Sequence, residues 1–385
     1  MDALILSCGT GGGHNAAASA IVEELTRRGH RAVMLNPYML HSRRLAEKID
    51  SLYIKAAQKA PTAFGAVYSA GELYRRLPFR SPVYFVNYSM VPLMEEYLTR
   101  KHFDIIITTH LFPAEILTCM KKKGIHIPKT IFIATDYTCI PFTEETECDA
   151  YIIPSDKLKA VFTARGLPGE KLYPLGIPVS RSFSKKEDRQ TACKRLGLDP
   201  DKRYVLAAGG SMGGGKVKKI IQTLADEIAG RKDTKLIVIC GSNKRMHDEL
   251  VRKALPGVKV IGFTSDMAEY MKAADLFVTK PGGLSSTEAA VCGIPMIHVA
   301  SIPGCETYNA RFFSGCGMSR FCHTSKRELA EALKILDSKT ECDTMVRKQR
   351  KLIRPDSAGK ISDFAEKMAA SAASVTVNVL RSVSI

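Results

Sequence analysis

Three side chains of this 385-residue sequence stand where their types and neighbours could do chemistry. His14 closes the turn Cys8-Gly9-Thr10-Gly11-Gly12-Gly13-His14 and opens a helical segment. The positive end of a helix disfavours protonation, so a neutral imidazole able to take a proton from an alcohol is expected near pH 7. Asp136, in Ala134-Thr135-Asp136-Tyr137, ends an apolar run. It could be that base, orient His14, or simply cap a loop. Glu288 lies two helical turns into Lys280-Pro281-Gly282-Gly283-Leu284-Ser285-Ser286-Thr287-Glu288. An ionised carboxylate there could accept two hydroxyl hydrogen bonds from a ribose; the plain alternative is a surface acid stabilised by the helix dipole.

These residues need elements to hold them, and two glycine-rich turns show what the elements are. Ala3 to Ser7 enters the first turn and Asn15 to Arg28 leaves it with helical period. Tyr204 to Ala208 enters a second, Gly209-Gly210-Ser211-Met212-Gly213-Gly214-Gly215, and Lys216 to Ile228 leaves it. Turns of this kind bring backbone N–H groups to a ligand, and the helix adds about half a positive charge, so both favour an anion or a cluster of polar oxygens. A dinucleotide fingerprint is disfavoured. His14 occupies the third glycine position, and the second strand ends in Leu35-Asn36 rather than an acid. The second turn lacks the Lys-Ser or Lys-Thr of a P-loop yet suits a diphosphate.

Apolar runs alternate with helical segments along both halves, predicting doubly wound parallel sheets with ligands at the carboxyl ends of the strands. The turn-rich, charged stretch from Gly176-Ile177-Pro178 to Asp199-Pro200-Asp201 divides them. The expected domains are residues 1–178, residues 179–360 and a helical tail, 361–385, that packs back on the first domain. Helix is expected to about Ala373. Composition is ordinary for a globular chain, with 45% apolar and 25% charged residues. The 11 cysteines form no CxxC pair, the pattern of a reduced cytosolic chain. No apolar stretch approaches the length of a membrane span and no secretion signal is evident, so a membrane could be met only at its surface.

The formal charge of +17 attracts anionic partners. Residues 42–99 interleave aromatics such as Tyr68, Tyr74 and Phe79 with Arg75, Arg76 and Arg80. Rings beside cations suit the headgroup layer of an anionic membrane; the bland alternative is a helical insertion whose rings fill its own core. Nucleic acid is not expected, because no nucleic-acid-binding motif accompanies the patch.

The turn GTGGGH, the segment GGSMGGG, the block GFTSDMAEYMKAADLFVTKPGGLSSTEAAVCGIP and the following IPGCETYNA together resemble the monogalactosyldiacylglycerol synthase and processive diacylglycerol glucosyltransferase family. More distantly they are similar to the lipid-linked N-acetylglucosaminyltransferase of peptidoglycan synthesis. The resemblance implies a GT-B fold, α/β, with two Rossmann-like domains facing across a cleft. It implies donor binding by Gly210, Ser211, Met212 and Gly213 at the diphosphate, by Phe263 and Thr264 at the uracil, and by Glu288 at the ribose. Gly282, Gly283 and Ser285 would approach the phosphates, Gly12 and Gly13 would face the donor from the first domain, and Glu306 and Asn309 would lie near the sugar. His14 matches the histidine proposed as base. Where many members carry Gln before that Glu, this chain has Cys305, and the His and Trp that many carry after the Thr-Asp pair are absent.

The expected activity is inverting transfer of a hexose from UDP-glucose or UDP-galactose to a lipid hydroxyl, diacylglycerol above all, with no metal and no cofactor beyond the UDP-sugar substrate. The expected setting is peripheral, on the cytoplasmic face of an anionic cell membrane. A non-catalytic UDP-sugar sensor at the membrane and a UDP-sugar epimerase of related fold are the alternatives.

Overall fold

Every apolar run named above becomes a parallel strand. The computed structural model describes residues 1–9, 12–59, 70–75, 79–208, 215–299, 304–323 and 325–383, with side chains left out at 52–59, 215–216 and 372–383. It forms two compact units: one of residues 1–53, 66–180 and 356–385, the other of residues 54–65 and 181–355.

In the first unit, β1 (Asp2–Leu6), β2 (Arg31–Leu35), β3 (Ile105–Thr108), β4 (Lys129–Ile133), β5 (Ala150–Ile152) and β6 (Leu172–Tyr173) lie in the order β2-β1-β3-β4-β5-β6, all parallel. Successive side chains of a strand point to opposite faces, and both faces here are buried. Ala3, Ile5, Ile105, Ile107 and Ile131 pack with Ile21 and Leu25 of helix Gly12–Arg27 and with Ile361 and Ala365 of helix Ser357–Val383. Leu4, Leu6 and Ile106 pack on the other face with Met94 of helix Val91–Arg100 and Ile116 and Met120 of helix Leu111–Lys122. The aromatic-basic stretch supplies helices Arg43–Lys59, Pro82–Tyr88 and Val91–Arg100 between β2 and β3.

The second unit repeats the plan. β7 (Arg203–Ala208), β8 (Thr234–Ile239), β9 (Val258–Ile261), β10 (Leu276–Thr279), β11 (Met296–Val299) and β12 (Arg320–Cys322) form a parallel sheet in the order β12-β11-β10-β7-β8-β9. Val205, Val238, Val278 and Ile297 pack under Ile221 and Leu224 of helix Gly215–Ala229. In both sheets the strand order reverses once, beside β1 in the first and β7 in the second. Crevices at such reversals, outside the carboxyl ends of the strands, are where open α/β sheets take ligands. β1 and β7 are the two strands that lead into the glycine turns.

Two boundaries differ from the expectation. The final segment joins the first unit from Asp356, not residue 361. Its helix runs to Val383 and not to about Ala373. The dividing stretch carries two short helices, Arg181–Ser184 and Arg189–Arg195.

Candidate active site

At the reversal point of the first sheet the structure gathers residues from three strand ends. His14, in the first turn of helix Gly12–Arg27, follows β1; Thr109 and His110 follow β3; Thr135 and Asp136 follow β4. His14 Nδ1 lies 2.8 Å from the Thr109 carbonyl oxygen and 3.0 Å from Thr135 Oγ1. A carbonyl can only accept, so Nδ1 carries the proton and Nε2 keeps the lone pair. Thr109 Oγ1 in turn donates to the His14 carbonyl at 3.0 Å. His110 meets the His14 ring edge to face, with centroids 4.6 Å apart. Its Nδ1 accepts from Phe112 N at 3.1 Å, which makes it the Nε2–H tautomer, and burial drives it well below the usual imidazole range.

Burial also lowers His14, while the charge of Asp136 and the Thr109 carbonyl pull it back upward. The neutral imidazole expected at the helix start therefore owes its state first to crowding by neighbouring atoms rather than to the dipole. His14 and Asp136 line one small cavity with Thr109, Thr135, Thr138 and Phe162. Gly12 and Gly13 begin the helix that carries His14. The preceding glycine is dictated by a residue the sequence did not single out. A Cβ on Gly9 would collide with the Asp50 carboxylate, which accepts the Gly9 N–H.

In the second unit Gly282 caps helix Gly283–Cys292, so the backbone of Gly282 and Gly283 is presented at its amino end, with Ser285 half-buried one turn in. Glu288 follows in the second turn. Burial alone pushes its carboxyl up to about 8. The sequence reading required an ionised acid at this point; the surroundings instead desolvate the charge and favour the protonated carboxyl. The helix is tied to the sheet behind it by His298, whose Nε2 lies 2.9 Å from Ser286 Oγ and whose Nδ1 lies 3.0 Å from Ser319 Oγ. Burial takes His298 down to about 3, so the relay is neutral.

Phe263 and Thr264 sit in the loop after β9, with Phe263 81% exposed and Thr264 Oγ1 accepting from Asp266 N at 3.0 Å. Glu306 and Asn309 are buried on helix Cys305–Gly315. Glu306 pairs with Lys280 at 2.7 Å, and Asn309 Nδ2 donates to the Pro281 carbonyl at 3.0 Å. Gly210, Ser211, Met212 and Gly213 lie outside the described residues, as do Tyr68 and Arg76 of the aromatic-basic stretch.

The rest of that stretch divides in two. Arg75 turns inward to Glu144 at 2.6 Å, Tyr74 OH donates to the Arg80 carbonyl at 3.1 Å, and Arg80 donates to the Glu145 carbonyl at 3.1 Å. The structure thus spends Arg75 on an internal ion pair and leaves apolar groups outward. Leu73, Phe79, Phe85 and Val86 are all at least 60% exposed. Arg80 and Lys122 flank the Tyr84 ring, and Lys123 lies 4.4 Å from the Tyr88 ring centroid.

Among residues the motifs did not flag, Lys280 had the clearest signal, a lone cation between a strand end and Pro-Gly-Gly. His110, after Thr108-Thr109, had only its position.

Residues 14–179 match the family model described as monogalactosyldiacylglycerol (MGDG) synthase, and residues 204–364 match the glycosyltransferase family 28 C-terminal domain. A processive diacylglycerol beta-glucosyltransferase of Bacillus licheniformis is 27% identical over 320 residues, 82% of this chain and 81% of that one. Another, of Staphylococcus saprophyticus, is 30% identical over 271 residues, 68% of this chain and 66% of that one. Among solved structures, MurG of Acinetobacter baumannii is 15% identical with a TM-score of 0.62, covering 95% of this chain and 99% of that one. Two doubly wound parallel sheets with these likenesses define a GT-B glycosyltransferase. The chain belongs to the monogalactosyldiacylglycerol synthase and processive diacylglycerol glucosyltransferase family.

Proposed function

We propose that the protein transfers a hexose from a UDP-sugar to the hydroxyl of diacylglycerol at a membrane surface, with inversion at the anomeric carbon and without a metal. The observation that carries this reading is His14, held as its Nδ1–H tautomer by Thr109 and so left with a basic Nε2 beside the strand-end carboxylate of Asp136. In one displacement the acceptor O–H proton passes to Nε2, the new C1–O bond forms, and the C1–O bond to the diphosphate breaks. Charge gathering on the leaving diphosphate is met by main-chain amides of the second glycine turn and of Gly282 and Gly283. Asp136 stabilises the imidazolium so formed. The curated relatives' names support the lipid acceptor and the glucosyl donor.

The outward Leu73, Phe79, Phe85 and Val86, in a stretch whose Tyr84 and Tyr88 rings carry Arg80, Lys122 and Lys123, support a seat on an anionic membrane, with each nearby Lys or Arg contributing about 1 kcal/mol. No helix among the described residues is long and apolar enough to cross a membrane.

Labelled UDP-glucose and UDP-galactose, each incubated with the protein and diacylglycerol vesicles, test the reading. Glycolipid should form, His14→Ala should lower the rate by roughly a hundredfold or more, and chelator should leave it unchanged. An α-linked product from the α-linked donor overturns inversion. Conversion of free UDP-sugar without lipid favours an epimerase, and UDP binding with no product from either donor favours a sensor.

A further inference from the structure

Lys280 stands at the reversal point of the second sheet. β7 neighbours β8 on one side and β10 on the other, so the crevice lies between the carboxyl ends of β7 and β10. Thr279 is in register with Ala208, and its hydroxyl donates to the Ala208 carbonyl at 2.8 Å. Lys280 is therefore the first residue beyond one strand end, while the other leads into the second glycine turn. Its ammonium is already engaged. Nζ lies 2.7 Å from Glu306 Oε1, with the two side chains only 18% and 8% exposed. Asn309, one turn along from Glu306, fastens that helix to the Pro281 carbonyl at 3.0 Å.

A buried carboxylate needs such a partner, because an unpaired charge there is costly. A diphosphate, with greater negative charge and several acceptor oxygens, competes for the same ammonium. Lysine suits an exchange of this kind: it is a point charge on a flexible stem with three rotatable donors. A carboxylate set free is acceptor-only, and sugar hydroxyls are donors.

We infer that Lys280 is a ligand of the donor's β-phosphate that Glu306 holds in reserve: when donor binds, the ammonium passes to the phosphate and the released carboxylate takes hydroxyls of the sugar. This rests on the UDP-sugar donor proposed above. It makes recognition of the hexose conditional on the diphosphate, since a free hexose meets a carboxylate already paired.

Calorimetry of UDP and UMP binding to the full-length chain tests it. Lys280→Met should weaken UDP at least about tenfold and leave UMP within about twofold. Glu306→Gln, which removes the competitor for the ammonium, should tighten UDP, an effect that a merely structural pair would not give. The double variant, neutral at both positions and free of an orphaned charge, should bind UDP as Lys280→Met does. UDP affinity unchanged in Lys280→Met and in the double variant, or weakened by Glu306→Gln, overturns the role of Lys280 while the donor assignment stands. Wild type that binds no UDP removes the donor assignment and this inference with it.

Discussion

At the scale of single residues, the site is governed by burial of titratable groups beside few charges. His14 is lowered from the ordinary imidazole value of 6.5 by burial. If it is the base, the acid limb of kcat/KM falls below pH 6.5, since activity is lost only as protonation of Nε2 sets in on going down in pH. A limb above 6.5 speaks for another base. Glu288 gives the opposite signature. Burial pushes its carboxyl up to about 8, and a ribose is held best by the ionised form, so uridine affinity should rise as pH climbs from about 6 through 8. Calorimetry across that range should show the slope vanish in Glu288→Gln. His14, Asp136 and Glu288 could be picked out because each sits beside a local mark, a glycine turn or a strand end. Their partners could not. The Thr109 carbonyl is 95 residues from His14, and Glu306 is 26 from Lys280, separations at which only the strand register decides who meets whom.

At the scale of elements, continuous apolar runs such as Ile105-Ile106-Ile107 had to become buried parallel strands, and the sheets were legible for that reason. β12 was not foreseen: Arg320-Phe321-Cys322 is a three-residue edge strand with no run to announce it. The length of the last helix was also hidden, because Val375, Thr376, Val377 and Val379 are β-branched and disfavour helix. The short helix Pro82–Tyr88, with its outward Phe85 and Val86, is seated on helix Leu111–Lys122. Ser81 caps it by accepting from Tyr84 N, and Ser81 Oγ donates to Glu145 at 2.7 Å. Beneath it lies Glu115, fully buried, with neither carboxyl oxygen hydrogen-bonded. Burial, then Glu145, push it up to about 8 from 4.5, against the pull of Arg80 and Lys122. Folding thus holds a proton that the unfolded chain releases, and stability falls as pH rises from 4.5 to about 8. Glu115→Gln should stabilise the first unit at pH 8 and flatten that decline in denaturation curves; equal pH dependence in both proteins contradicts the account. Replacing Phe79, Phe85 and Val86 by Ser should weaken sedimentation with anionic vesicles without altering UDP affinity.

At the scale of the whole chain, the first unit is not continuous in sequence. Its sheet is complete by Tyr173, yet the cover of one face, begun by helix Gly12–Arg27, is completed only when helix Ser357–Val383 arrives. The sequence placed a tail on that domain, but the clamp that holds it spans more than 330 residues. Arg28 Nη1 donates to Asp363 at 2.6 Å and Glu366 at 3.1 Å, Nη2 to the Gly359 carbonyl at 2.9 Å, and Nε to Glu24 at 2.8 Å. His30 Nε2 adds a contact to Glu366 at 2.9 Å. A planar fork with five donors fits this set and an ammonium does not. Arg28 is about four-fifths buried, so Arg28→Ala leaves Glu24 without one of its two guanidinium partners and should cost about 2–3 kcal/mol, short of the loss seen when a fully buried pair is broken. Arg28→Lys should recover only part of it. The loss is local, so the readout is hydrogen exchange: amides of helix Ser357–Val383 and of β1 should exchange roughly tenfold or more faster, and those of β7 and β10 should not change. Glu24 is held at about 2 by hydrogen bonds from Arg27 and Arg28, below its ordinary 4.5. Its contribution is complete above pH 4.5 and drains away as pH falls toward 2, so the difference between wild type and Arg28→Ala should shrink over that window. Uniform acceleration of exchange in both units, or a difference that grows in acid, means that Arg28 serves general stability rather than the docking of this helix.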